Sequence, residues 1–265
     1  SFRVLYPDSD HPVAVYGAPK WYSGETGALF LIQALLKECD AFVDIGANLG
    51  YFTFFAKIHF PDKPTYFFEP NPQLFDFIER SLEQNRCSNV SGHPQAVGRQ
   101  TETAAFFIDR QDAERSSLNA KIGFPEGAQE IVTQVVSLSD FAKDLPFQKL
   151  LVKVDVENAE RDFLEGALGA LSKIDCLVME VLLPAIQGGF LERVLGQGLF
   201  AYYINEFQLE HSNDGSFQYA PSEHNWLFCR MDPAQLKKRL QGSRFRVVTK
   251  GSKPALAAFM ERSTR

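Results

Sequence analysis

The chain is short of the residues that staple, span or chelate. Its 265 residues hold four cysteines, Cys39, Cys87, Cys176 and Cys229, which lie far apart and form no CxxC pair. That spacing excludes a zinc cluster and leaves no legible disulfide framework, as suits a reducing compartment. Long apolar runs are missing too. The strongest, Ala28 to Leu36, is much too short to cross a bilayer. No signal-peptide pattern opens the chain, so the expectation is a cytoplasmic protein; with Ser rather than Met at position 1, a trimmed N-terminus belongs to that expectation. Internal repeats and Pro/Gly-rich linkers are likewise absent, which argues against a repeat array and against separate domains.

What is present is core material: 45% of residues are hydrophobic and 24 are Phe, enough to exclude general disorder. The net charge of −6 is unevenly spread. Residues 231–265 carry nine basic against two acidic side chains, a sum of +7, which leaves −13 on the first 230 residues. An acidic body is a poor general binder of nucleic acid. The basic stretch reads as a solvated C-terminal extension, with a phosphate, a membrane surface or a protein as its alternative partners.

Strand and helix patterns alternate along most of the chain. Apolar residues at helical spacing (Leu29, Ile32, Leu35, Leu36) follow a turn-rich start, and the short apolar run Ala41–Asp44 has the form of a buried parallel strand. A helix through Lys57, a strand Thr65–Glu69 and a helix opened by Asn71-Pro72 come next. Strand-like segments lie at 90–97, 104–108, 131–136, 150–156, 176–181, 200–204 and 226–229, with helices at 159–171 and 190–195. Residues 109–129 are polar and without period, which reads as a mobile loop. This order predicts an α/β protein of Rossmann-like type, with a mostly parallel central sheet, helices on both faces and a C-terminal antiparallel hairpin.

The chemical signal is Val43-Asp-Ile-Gly-Ala-Asn-Leu-Gly-Tyr-Phe-Thr53, a strand that ends at Asp44 and turns through glycines into a helix. Gly46 and Gly50 would let backbone approach a ligand where a Cβ collides, and the helix-start amides favour an anion. A dinucleotide fingerprint needs G-x-G-x-x-G, but Asn48 and Tyr51 stand at its second and third glycine positions. No G-K-[S/T] follows either, which removes a Walker loop. The turn suits a smaller anionic end, such as the carboxylate of an amino-acid-like cofactor, or else is a purely structural bend. Twenty-five residues after Asp44, Glu69 ends the next strand, where a carboxylate can accept from both hydroxyls of a ribose. The same acid before a proline turn can equally cap a helix.

Taken together these segments resemble the FkbM family of S-adenosylmethionine (SAM)-dependent methyltransferases over about residues 40–230. The likeness rests on the glycine turn, on Phe68-Glu-Pro-Asn-Pro72, Ala96-Val-Gly98, Ser116-Ser-Leu118 and Leu138-Ser-Asp140. It extends to Val152-Lys-Val-Asp-Val-Glu157 with Ala159-Glu160, and to Asn225-Trp-Leu-Phe228. It implies a class I methyltransferase fold, SAM as cofactor and methyl transfer to oxygen of a small-molecule or saccharide acceptor. By position, Asp44, Gly46, Asn48 and Gly50 would surround the methionine part of SAM, Glu69 would hold the ribose, and Ala96 and Val97 (after Gln95) would lie near the adenine. One departure stands out: where the family reads Asp-x-Glu-Gly-x-Glu, Asn158 replaces the glycine. The implied division is an N-terminal segment and helix (1–40) that contributes to the substrate site, a SAM-binding domain (41–230) and the basic extension (231–265).

Lys153, Asp155 and Glu157 alternate at a strand end and so project to one side. Asp155 and Glu157 are the candidate bases for the acceptor hydroxyl, with Lys153 tuning their charge, or Lys153 and Glu157 form a structural ion pair. A rival reading gives Asp155, Glu157, Asn158 and Glu180 to Mg²⁺, although no metal is the favoured expectation. His224 and His211 are further candidate bases, and Ser116 and Ser117 candidate contacts. Two other function classes stay open: a catalytically silent SAM-fold interaction module, and a nucleic-acid methyltransferase. The second lacks an Asn/Asp-Pro-Pro-Tyr motif.

Overall fold

The computed structural model describes residues 25–109, 116–118, 128–212, 217 and 225–250. Its centre is strand β1 (Ala41–Ile45), all five residues of which are buried. Parallel to it on one side lie β2 (Thr65–Phe68) and then β3 (Val90–His93); on the other lie β7 (Leu150–Val154) and β8 (Ile174–Glu180). Beyond β8 come β11 (Asn225–Cys229), β9 (Phe200–Asn205), β10 (Gln208–Ser212) and β12 (Arg246–Lys250), which complete a nine-stranded sheet. The strand β11 runs antiparallel to both its neighbours, and β10 antiparallel to β9. This is a Rossmann-like α/β fold with a mostly parallel central sheet. The chain leaves β1 in one direction and returns to β7 on the other side, so the order reverses between these two strands. Ligands of open α/β sheets bind beyond the strand ends at such a reversal.

Period-two alternation explains why both faces are covered. Val43, Ile45, Val152 and Leu177 point to one face, against helix α5 (Glu160–Ala167), while Phe42, Leu151, Val178 and Leu227 point to the other, against helix α1 (Thr26–Leu36). Each such fully buried side chain contributes ~1.5–3 kcal/mol. Helix α2 (Tyr51–His59) links β1 to β2, and α3 (Pro72–Gln84) links β2 to β3. As Asn71-Pro72 predicts, the Asn71 side chain caps α3 by accepting from Gln73 N–H, and Leu74, Phe77, Ile78 and Leu82 are its buried face. None of the described helices is long and apolar enough to cross a membrane.

Two expectations change. The apparent strand at 90–97 is two strands broken at Pro94, which has no N–H for a ladder. Beyond it β4 (Gln95–Gly98) leaves the main sheet and pairs with β6 (Gln129–Ser137), itself antiparallel to β5 (Glu102–Ile108), in a second, three-stranded sheet. Residues 233–250, expected to belong to a solvated extension, are packed: α8 (Pro233–Arg239) starts with a capping box between Asp232 and Gln235, and β12 pairs parallel with β10. Leu236, Leu240 and Phe245 are buried in the α1 cluster. The remaining helices are α4 (Leu138–Lys143), α6 (Leu183–Gln187) and α7 (Phe190–Leu195).

Candidate active site

The glycine turn is a run of alternating left-handed residues: Gly46, Asn48 and Gly50 have φ of +71°, +50° and +74°. Asn48, which breaks the dinucleotide fingerprint, thus adopts the conformation a glycine would, and asparagine tolerates it better than other side chains do. The glycines are required by the protein itself. A Cβ on Gly46 would lie 1.8 Å from the Asp155 carbonyl oxygen, and one on Gly50 would press on Ile78 and Phe54. Asp155 N–H donates to Ile45 C=O at 3.0 Å, and Ala47 N–H to Phe68 C=O at 2.9 Å, so the ends of β1, β2 and β7 are tied together.

Glu69, one residue past β2, completes that knot. Its Oε2 accepts from Asn48 N–H at 2.7 Å and its Oε1 from Asn71 N–H at 2.8 Å. The carboxyl is buried, and burial pushes it up to about 7 despite the opposing N–H donors of Asn71 and Asn48. It therefore serves the helix start, as an acid before a proline turn can, while still facing the adjoining cleft.

That cleft is an open one, with about 540 Å³ of space between its walls when the open mouth is included. Of the residues expected to bind or react, Gly46, Asn48, Glu69, Ala96, Val97, Asp155 and Glu157 line it. Asn48 Oδ1, an acceptor in this wall, is buried without a hydrogen-bond partner among the described residues. Asp44, Gly50 and Lys153 are not in the lining. Asp44 is fully buried beneath the turn, where Thr53 Oγ1 donates to its Oδ2 at 2.7 Å, and burial raises its pKa. Gly50 is the left-handed N-cap of α2.

Lys153 is buried with Nζ 3.5 Å from Asp155 Oδ2, 3.9 Å from Asp44 Oδ1 and 4.7 Å from the Phe52 ring centre. Burial alone would lower its pKa, but Asp155 and then Asp44, Glu25 and Glu180 raise it overall. The neighbouring carboxylates therefore favour the charged ammonium, which suits Lys153 to balancing their charge rather than to taking a proton. Past it Asp155, Glu157 and Glu180 bring carboxylate oxygens within 4.8 Å of one another. The charge of Asp155, ahead of burial and Glu157, pushes Glu180 well above the usual carboxylate range, so a proton is held at this cluster. Glu157 and Asn158 have φ of +40° and +63°. Asn158, which stands where the resembled pattern has glycine, is thus held in a left-handed backbone, at a cost of roughly 1–2 kcal/mol.

His211 is a satisfied core residue, its Nδ1 3.1 Å from Ala201 C=O and its ring against Tyr202, and it is not in the cleft wall. His224 lies outside the described residues, as does most of 109–129. Of that segment Ser116 and Leu118 line the cleft, and Ser117 Oγ donates to Glu157 C=O. Phe106 on β5 also lines it and escapes sequence reasoning, because no motif signals that a second sheet folds back over the first.

The model of the FkbM methyltransferase domain matches residues 44–219. "Methyltransferase 1" of Beauveria bassiana is 32% identical over 145 residues, 48% of this chain and 58% of the relative. The "31-O-demethyl-FK506 methyltransferase FkbM" of Streptomyces tacrolimicus is 26% identical over 157 residues, 49% of this chain and 60% of that one. The matched part thus spans a little under two thirds of each relative. Among solved structures, a methyltransferase from Geobacter sulfurreducens aligns at 15% identity over 77% of each chain, with a TM-score of 0.41. With the domain model covering more than half of its length, from the glycine turn to just past β10, the chain belongs to the FkbM methyltransferase family.

Proposed function

We propose that this protein transfers a methyl group from SAM to a hydroxyl oxygen on a small-molecule or sugar-like acceptor. The observation that carries the reading is Glu69: a buried carboxylate at the end of β2, fixed by two backbone N–H groups, beside Asn48 Oδ1, which has no hydrogen-bond partner among the described residues. Two acceptors so placed suit the paired hydroxyls of a ribose and a neighbouring donor. Gly46 and Asn48 would receive the amino-acid end, while Ala96, Val97 and Phe106 offer an apolar wall for a base. Gly50 and Asp44 act from beneath, by shaping the turn. Bound SAM supplies a methyl carried on a sulfonium. The chain's own part is to hold the acceptor oxygen in line, which is worth ~7–11 kcal/mol, and to accept its proton, worth ~10²–10⁴-fold. Asp155 and Glu157, at the end of β7, are suited to take that proton, and Lys153 keeps their surroundings from becoming wholly anionic. Oxygen as the methyl acceptor is supported by the name of the Streptomyces relative.

Calorimetry with SAM tests the cofactor half. Glu69→Ala should weaken binding at least about tenfold, the scale of losing charge-assisted hydrogen bonds. Unchanged affinity in a folded variant would sink the ribose assignment. A second reading puts Mg²⁺ on Asp155, Glu157 and Glu180, favoured by their 4.8 Å grouping and opposed by the Lys153 ammonium beside Asp155. Titrating MgCl₂ into the protein should give no saturable heat; a one-to-one isotherm lost in Glu180→Gln would favour the metal instead.

A further inference from the structure

Ser117 belongs to no part of the mechanism above, yet it is almost wholly buried and connects the two sheets at the cleft. Its backbone is fixed to β5, with Ser117 N–H donating to Phe107 C=O at 3.0 Å and Phe107 N–H returning to Ser117 C=O at 2.9 Å. Its neighbours on either side, Ser116 and Leu118, line the cleft. Its own hydroxyl donates to the main-chain carbonyl of Glu157, the first of two consecutive left-handed residues. The far side of that turn is also held from the second sheet: α5 packs so closely on β4 that a Cβ on Gly166 would lie 2.0 Å from Gly98 C=O.

We propose that Ser117 is a positioning residue that sets the Glu157–Asn158 turn, and with it the Glu157 carboxylate, according to what fills the cleft against Ser116 and Leu118. The inference rests on the reading of this cleft as the cofactor site. A left-handed pair of non-glycine residues persists only where its surroundings specify it. Here the specifying contact comes from Ser117, held between the two residues that line the cleft. Ligand binding and placement of the candidate base therefore share one mechanical element, and a bound adenosyl group should tighten the turn as well as occupy the pocket.

Hydrogen exchange with S-adenosylhomocysteine as the probe decides this. In the wild type the probe should slow exchange both in the peptide covering 46–50 and in that covering 155–160. Ser117→Ala should speed exchange of the free protein at 155–160 by about fivefold or more, the loss of one net hydrogen bond. In that variant probe protection should persist at 46–50 and vanish at 155–160, a split that a merely structural role would not produce. Ser116→Ala, which leaves the Glu157 contact intact, is the control and should leave free-protein exchange at 155–160 unchanged. Equal exchange at 155–160 in Ser117→Ala and wild type overturns the proposal, as does equal acceleration by Ser116→Ala. If the wild type shows no binding of the probe, the cofactor reading fails, and the coupling proposed here is overturned with it; the free-protein comparison of Ser117→Ala with wild type would still report whether the hydroxyl holds the turn.

Discussion

Residue by residue, the site is built from backbone that only a few side chains accept. Gly46 cannot be replaced, because its φ of +71° and the Asp155 carbonyl oxygen, 1.8 Å from where a Cβ would sit, both stand against any side chain. Gly46→Ala should cost about 3 kcal/mol or more in urea unfolding. Asn158 is different: it is half-buried and left-handed, so Asn158→Gly should be neutral or stabilising by up to ~1 kcal/mol, whereas Asn158→Val should lose ~1–2 kcal/mol. Glu69 carries a pH signature. Its folded pKa of about 7 lies above the unfolded value, so its contribution to stability is full below the unfolded pKa and is lost as pH rises through about 7. Ribose hydroxyls that donate to the carboxylate would favour its charged form. SAM affinity should therefore rise with pH up to about 7 and then level off, with proton release on binding below that point. Calorimetry in buffers of differing ionisation enthalpy checks this, and Glu69→Gln should flatten the profile. Much of this residue chemistry is legible in the sequence. The spacing of Gly46, Asn48 and Glu69 leads to the cleft, but that two asparagines stand in for glycines is a matter of φ, which no motif records.

Among the elements, those with strong periodicity or short buried runs are readable, because burial on both faces makes β1 and β7 apolar apart from one buried charged residue each, Asp44 and Lys153. The helices α1 and α3 declare themselves by spacing and by the Asn71-Pro72 start. Elements that pack by partnership do not. The strand β12 reads as a half-polar RVVTK with no run of its own, and it exists by pairing with β10. The helix α8 does carry a sign, Asp232-Pro233 with Gln235 in the capping-box position, but the basic run Lys237-Lys238-Arg239 masks it behind charge. Those bases sit in the helix's last turn, where the dipole favours them. Because Leu236 is fully buried against the α1 cluster, Leu236→Ala should destabilise the whole domain by ~2–5 kcal/mol in urea unfolding. A change confined to an unpacked extension would cost under ~0.5 kcal/mol.

At the scale of the molecule the same packing changes what the charge asymmetry means. In the sequence alone, the +7 of residues 231–265 is open to an outside anion. Yet Arg239, nearly buried, pairs with Glu38 at 2.8 Å and Asp175 at 3.1 Å, Lys250 pairs with Glu210, and the Arg244 guanidinium lies over the rings of Phe30 and Phe207. Part of the positive charge therefore neutralises the acidic body from within, and the sheet's last strand depends on it. Deleting residues 231–265 removes β12, the α8 cap and the buried Leu236, Leu240 and Phe245 together. The truncated chain should show a thermal transition that is lowered and broadened by circular dichroism, with loss of SAM binding following from loss of the fold. A subtler set, Lys237→Gln with Lys238→Gln, removes two charges from the surface end of α8 and leaves its buried Leu236 in place. That variant should melt with the wild type, so any function that it loses would belong to charge alone, and a truncation that melted like the wild type would refute the structural role argued here.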